Sequence, residues 1–290
     1  MSDELDVSDL LEDLIRYPRL LTAFVVAGLS ISILIGGLST PKYRVELVLS
    51  IVDEGGGASA VSGLMQSIGG LASLANFALP ASSNRGEVYV ATLLSNSFTK
   101  DFIEENNLRP ILFPDKWDSA TQNWSVEADK VPTPFDAVQF FDSDIRSLSR
   151  DKATGLMTLS VDWSNPDVAA EWALGLIRAA NSRIRQQVID EAELSIQFLN
   201  AEYEKTHVIG LQQAIFRLIE SQIHKIMLAN VRHEYAFEIV DPPLIPDNDN
   251  KIWPNWPLLI FGGVMLGSGL GMLLSVMISR KAESTDVGRG

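Results

Sequence analysis

The residues best suited to chemistry are three histidines, His207, His224 and His233, and a series of carboxylates, Asp190, Glu191, Glu193, Glu202 and Glu204. The histidines stand 17 and 9 residues apart, so no two share a helical turn, and the chain has no cysteine to complete a metal set. The carboxylates ride on the polar side of a strongly helical pattern, where solvated surface is the default. Gly267-Ser268-Gly269-Leu270-Gly271 has the glycine content of a nucleotide-binding turn, but no strand precedes it and it lies inside an apolar run. No nucleophile elbow, phosphate loop or paired acid and base is legible. The sequence therefore predicts a protein that is not an enzyme and uses no metal or cofactor, and its function must come from shape and association.

The elements that would provide shape are anchored by residues 241–278. After Asp241-Pro242-Pro243-Leu244-Ile245-Pro246 and a polar turn comes Trp253-Pro254-Asn255-Trp256-Pro257, then about 21 uncharged residues ending before Arg280-Lys281, enough to cross a hydrocarbon core of roughly 30 Å. Gly263, Gly267 and Gly271 recur every fourth residue and Ser275 extends the row, so one helix face admits close approach of another backbone. Glycine is also simply common in such helices. Residues 20–38 are uncharged and mostly aliphatic, and they carry Gly28, Ser32 and Gly36 at the same spacing. A cleaved signal peptide competes there, but the run is longer than a signal core and its flank is acidic, so a retained helix is expected. The two small-residue faces are expected to meet within one subunit or between neighbours.

Arg16 and Arg19 precede the first run, and Arg280 and Lys281 follow the second, which places both termini in the cytoplasm. Residues 1–19 and 279–290 are then cytoplasmic, with spans at 20–38 and 257–278. Val7, Leu10, Leu11, Leu14 and Ile15 form an apolar helical face opposite acidic residues, suited to an interface or to a protein contact. The formal charge of −14 opposes nucleic-acid binding, which draws its affinity from Lys and Arg on phosphates.

Between the spans, residues 39–165 read as an α/β base. Tyr43, Val45, Leu47, Leu49 and Ile51 alternate with polar residues as a strand with one buried face. From Gly55 to Asn84 there is no charge; a third span or a partly helical segment rich in Ser and Gly both fit. Val90, Leu94, Phe98 and Phe102 predict one helix over 86–106. A loop-rich stretch over 108–134 is expected to be pinned to the domain by Trp117 and Trp124. A second helix over 134–147 and a strand over 156–161 follow.

Asn165 then caps a helix that Pro166 suits at its first position. Residues 166–235 are helical in pattern, yet a returning strand over 236–240 must lead back to the second span. The region must therefore reverse, best at Thr206-His207-Val208-Ile209-Gly210, giving a hairpin with arms of about 40–60 Å. Residues 236–256 hold the returning strand and the proline-rich segment. The fold class is an α+β membrane protein: two transmembrane helices flanking a periplasmic α/β base with a long protruding helical hairpin.

With these residues in place, the chain resembles the bacterial polysaccharide co-polymerases, the Wzz-type chain-length determinants of O-antigen and related surface polysaccharides. The resemblance is carried by Gly69 to Ala75 (Gly-Gly-Leu-Ala-Ser-Leu-Ala), Ser164-Asn165-Pro166 before the long helix, and Ala236-Phe237-Glu238-Ile239-Val240-Asp241-Pro242-Pro243 before the last span. It implies an inner-membrane protein and homo-oligomeric rings, often octamers. These would act with a Wzy-type polymerase on a growing lipid-linked glycan in lipopolysaccharide biosynthesis. It further implies that Pro242, Pro243 and Pro246, with Pro254 and Pro257 beyond them, belong to the family's proline-rich segment. Gly263, Gly267 and Gly271 match its small-residue face. No Walker A motif or tyrosine cluster follows Ser279, so the fused tyrosine kinase of some relatives is not expected. A competing reading is a capsule or exopolysaccharide export component, or an adaptor for a separate kinase. Gln186, Gln197 and Asn200 are the candidate sugar contacts on the hairpin.

Overall fold

The computed structural model describes residues 18–52, 82–247 and 249–287. The amphipathic stretch from Val7 to Ile15 and most of the uncharged segment from Gly55 to Asn84, including Gly69 to Ala75, lie outside the described residues. The chain divides into two compact units, Arg44–Pro246 and the paired chain ends.

In the paired ends, α1 (Pro18–Leu38) lies against α8 (Trp256–Val287). Among the described residues, Trp256–Ser275 is long and apolar enough to cross a bilayer, and Thr22–Leu38 is a shorter apolar stretch. Pro257 sits in the first turn of α8, where an N–H would have no helical partner, and Asn255 Oδ1 accepts the Leu258 N–H at 3.4 Å. Just outside, Lys42 and Trp253 form an antiparallel bridge: the Lys42 N–H donates to the Trp253 carbonyl at 3.1 Å, and the Ile252 N–H to the Lys42 carbonyl at 2.9 Å.

The larger unit is built on a four-stranded sheet. Its strands are β1 (Tyr43–Ile51), β4 (Arg146–Arg150), β5 (Met157–Trp163) and β6 (Phe237–Asp241), in the order β4-β5-β1-β6. β1 forms where the alternation requires it, with Val45, Leu47 and Leu49 fully buried. β6 pairs antiparallel with it, Leu49 opposite Ile239 and Ile51 opposite Phe237, with an irregularity between Val48 and Leu49. A bidentate Arg44–Asp162 pair, at 2.8 and 2.7 Å, ties β1 to β5 across the sheet. That hydrogen-bonded carboxylate raises the Arg44 pKa against the opposing effect of burial.

Two helical expectations are corrected. The helix over 86–106 is two helices, α2 (Ser82–Leu93) and α3 (Asn96–Glu105). Ser95 breaks it: its hydroxyl accepts the Phe98 N–H at 3.2 Å, the N-cap geometry that restarts a helix. The helix over 134–147 is only α5 (Pro134–Phe140), followed by a π turn (Phe141–Ile145) and the strand β4, which the pattern did not reveal. β4 reads as polar because Arg146, not an apolar residue, occupies its buried position.

The connection between α3 and α5 holds the short α4 (Arg109–Leu112) and a two-stranded ribbon, β2 (Trp117–Asp118) with β3 (Asn123–Trp124). Trp117 and Trp124 pack edge to face on each other at 5.0 Å. Leu108 and Leu112 of this stretch are buried in the core, and Phe113, 5.6 Å from Phe140, packs against its edge.

The hairpin is α6 (Pro166–Lys205) and α7 (Ile209–Val231). Asn165 caps α6, its Oδ1 accepting the Asp167 N–H at 2.9 Å. At 40 and 23 residues the arms are about 60 Å and about 35 Å long, so the returning arm is shorter than expected. The reversal is confined to residues 206–208. Gly210 lies in the first turn of α7 with open space around it, so the turn is made without the conformational freedom of glycine.

Candidate functional site

The small residues of the two apolar helices are brought together inside one chain. A Cβ on Gly28 would collide with the Gly263 carbonyl, and one on Gly263 would collide with Ser32 Oγ. One on Gly267 would come 2.5 Å from the Phe24 carbonyl oxygen and 2.8 Å from Val25 Cα. Gly36 lies against Trp256 and Leu259, and Gly271 and Ser275 are buried further along α8. The backbones approach because these positions carry no bulk, which is how helices associate where lipid removes the hydrophobic drive. Gly262 and Gly269 face open space. Of the prolines, Pro254 and Pro257 flank the start of α8, whereas Pro242, Pro243 and Pro246 follow β6 in an irregular segment.

In the larger unit, the buried face of α6 is mostly small residues. Ala169, Ala170, Ala173 and Ala180 let it settle on the sheet beside Trp172, Leu176, Ile177 and Ile184. Asn181, only 3% exposed, fastens it. Its Nδ2 donates to the Phe237 carbonyl at 2.8 Å, while Oδ1 accepts the N–H groups of Ala236 at 2.8 Å and Phe237 at 2.9 Å. One amide thus matches three backbone groups at the start of β6. A polar residue in a helix centre reads as surface, so sequence reasoning missed it; its place on the Ala173–Ala180–Ile184 stripe was the available signal.

A second buried polar group, Arg146, donates to the Leu93 carbonyl at 2.7 Å and to Asp142 Oδ1 at 2.5 Å. It lies 5.9 Å over the Phe141 ring. Burial pushes the Asp142 carboxyl up, outweighing the attraction of the Arg146 charge, so the pair is held by packing at a net electrostatic cost. This couple joins α2, the π turn and β4; with its guanidinium buried, it serves architecture and not proton transfer.

His207 falls in the hairpin turn, His224 on α7 and His233 beyond it. No group of three or more His, Asp or Glu placed to hold a metal occurs among the described residues. Gln186, Gln197 and Asn200 are exposed along α6, Gln186 donating to Asp190 at 2.8 Å. Beside them the outer hairpin exposes large apolar side chains on both arms: Leu194 and Phe198 on α6, and Ile209, Leu211, Phe216, Leu218, Ile223, Met227 and Val231 on α7. Which faces stay uncovered depends on the crossing of the arms, which no local pattern encodes.

No protein-family model matches the chain, and no curated protein matches it. Among solved structures it is similar to one described as a full-length bacterial polysaccharide co-polymerase, at 14% identity and a TM-score of 0.42, over 97% of this chain and 99% of the other. It is also similar to a fragment of WzzB, a polysaccharide co-polymerase from Salmonella Typhimurium, at 12% identity and a TM-score of 0.30, over 71% and 97% of the two chains.

Proposed function

We propose that this chain is a non-catalytic, membrane-anchored scaffold that regulates the length of a surface polysaccharide of the O-antigen kind. The observation that carries the reading is its organisation. A long two-helix arm rises from a four-stranded sheet, and in sequence that unit is bracketed by two apolar helices with small-residue faces. The residue-level resemblance to Wzz-type proteins points the same way. On this reading both apolar helices span the inner membrane, with both termini cytoplasmic and residues 44–246 periplasmic. Copies of the chain form a ring beside a Wzy-type polymerase and the lipid-linked glycan it extends. The face formed by Gly28, Ser32, Gly36, Gly263, Gly267 and Gly271 packs the anchors and offers the polymerase a close-fitting surface.

The test is a gel of lipopolysaccharide from a strain lacking this chain, with and without complementation. Length regulation predicts unchanged total polymer whose modal length disperses on deletion and returns on complementation. Loss of surface polymer altogether would reject it in favour of an export component or kinase adaptor.

A further inference from the structure

Where α2 packs on α6, each helix turns one row of side chains toward a shared cavity. On α2, Arg85, Val88, Tyr89 and Thr92 run i, i+3, i+4, i+7 and so lie along one side of the helix. Ile184, Gln187, Val188 and Glu191 do the same on α6. Lys225 of α7 and Tyr235, just ahead of β6, complete the lining of about 350 Å³. That volume is within the range of small-molecule sites, roughly 300–1,000 Å³. Tyr89, Ile184 and Tyr235 are buried and make the floor; Arg85, Gln187 and Glu191 are exposed at the mouth, and Lys225 is half-buried.

The lining divides by chemistry. Val88, Ile184 and Val188 supply an apolar wall. Beside it the Glu191 carboxylate only accepts hydrogen bonds, the Lys225 ammonium only donates them, and the Gln187 amide does both. Among the described residues none of these three side chains has a hydrogen-bond or ion-pair partner, and Glu191 and Lys225 do not pair with each other although they line one cavity. The Thr92 hydroxyl donates to the Val88 carbonyl at 2.9 Å, which leaves its oxygen to accept. Arg85, which has an interaction of its own, adds a second positive charge at the mouth. A cation in the cavity would meet Lys225, and a simple anion would meet Glu191. A ring with several hydroxyls, each able to donate and accept, matches both, and its C–H faces match Val88, Ile184 and Val188.

We infer that this cavity is a saccharide-binding site, in which Glu191 accepts from the hydroxyls of a short stretch of glycan and Lys225 and Gln187 donate to them. Its walls come from both arms of the hairpin and from α2, so a bound sugar touches the arm and the base of the larger unit together. The exposed amides expected from sequence to meet sugar, Gln186, Gln197 and Asn200, are not part of the lining. The inference rests on the length-regulating reading and goes beyond it by giving the glycan a place where it is held.

The experiment titrates the full chain in detergent micelles with oligosaccharides of one to about four repeat units, released by mild acid from the surface polysaccharide of the strain that carries it, and reads affinity by ligand-detected NMR. Glu191→Gln and Lys225→Met keep the size of each side chain, and each is expected to weaken binding about tenfold, the effect of one hydrogen bond to a charged group. Glu220→Gln, the same chemical change on the exposed side of α7 and outside the cavity, is expected to bind as wild type does. Circular dichroism checks that the helices survive; should Lys225→Met lose helix, Gln187→Ala at the exposed mouth takes its place. A wild-type chain that ignores the oligosaccharides, cavity variants that bind like wild type, or an equal loss in Glu220→Gln overturns the site. The gel of the deletion strain judges the length-regulating reading separately. Modal length that disperses on deletion, with no binding by the purified chain, keeps that reading and overturns the site; binding lost in Glu191→Gln, with modal length unmoved by deletion, upholds the site and rejects the reading.

Discussion

The two halves of α6 make a natural comparison, because one continuous helix lives in two environments. Its first half buries alanines, Trp172, Leu176, Ile177 and Ile184 against the sheet and completes its polar contacts through Asn181. Beyond Ala192 the same helix exposes Leu194 and Phe198 beside a partner arm that is itself apolar on several sides. The first half is finished as a monomer; the second is not. Helix stability in proteins comes mainly from packing of one face, so a helix with several apolar faces signals further packing. The base thus holds the buried core of this unit, and the outer hairpin leaves apolar faces uncovered.

The largest expected effect sharpens that contrast with one chemical change made twice. Asn181→Ala leaves the N–H groups of Ala236 and Phe237 and the Phe237 carbonyl buried without partners, and the expected loss is about 3 kcal/mol. Asn200→Ala, on the exposed outer half, is expected to change stability by no more than about 0.5 kcal/mol. Denaturant unfolding of the full chain in micelles, followed by circular dichroism, measures both. Equal losses would erase the distinction between the halves.

Sequence made the first half legible and the rest only in outline. Alternation from Tyr43 to Ile51, the Asn165-Pro166 start and the need to reverse near residue 206 are local signals, and each recovers its element. The break at Ser95 was visible in kind, since serine is a cap, but Leu94 and Phe98 continued the apolar spacing across it. β4 and the Asn181 clamp escaped because both put a polar side chain in the core, and its partner, a carbonyl or a strand edge, lies more than 50 residues away in sequence. The small-residue faces were legible as faces that meet, with the choice between one subunit and its neighbour left open; within the chain they meet at Gly28, Gly263 and Gly267.

A second comparison of finished and open surface lies inside α8, where Gly267 and Gly269 are two residues apart. Leucine at 267 has no room, because its Cβ alone would press on the Phe24 carbonyl and the Val25 backbone; at 269 nothing lies within 4 Å. Gly267→Leu is therefore expected to force α1 and α8 apart and broaden the polysaccharide length distribution, with Gly269→Leu leaving it near wild type. Crosslinking between cysteines placed on the two helices, read alongside the gel, checks this. Matching behaviour of the two variants would remove the packing role of that face.

The smallest effect separates the core from its surface by pH. Asp136 closes a capping box on α5: its Oδ2 accepts the Thr133 N–H at 2.9 Å, and Thr133 Oγ1 accepts the Asp136 N–H at 3.2 Å. Those bonds, the backbone one first, hold the Asp136 carboxyl below its ordinary value of 3.8. A depressed carboxylate stabilises the fold above its unfolded pKa and loses that contribution as pH falls through the folded one. Asp136→Ala should then lower Tm at pH 7, and the gap to wild type should narrow below about pH 3. Asp142 runs the other way, since burial raises its pKa and its contribution is lost as pH rises. A Tm difference for Asp136→Ala that stays constant from pH 7 to pH 2.5 would mean that the cap acts through shape alone, with no share from its charge.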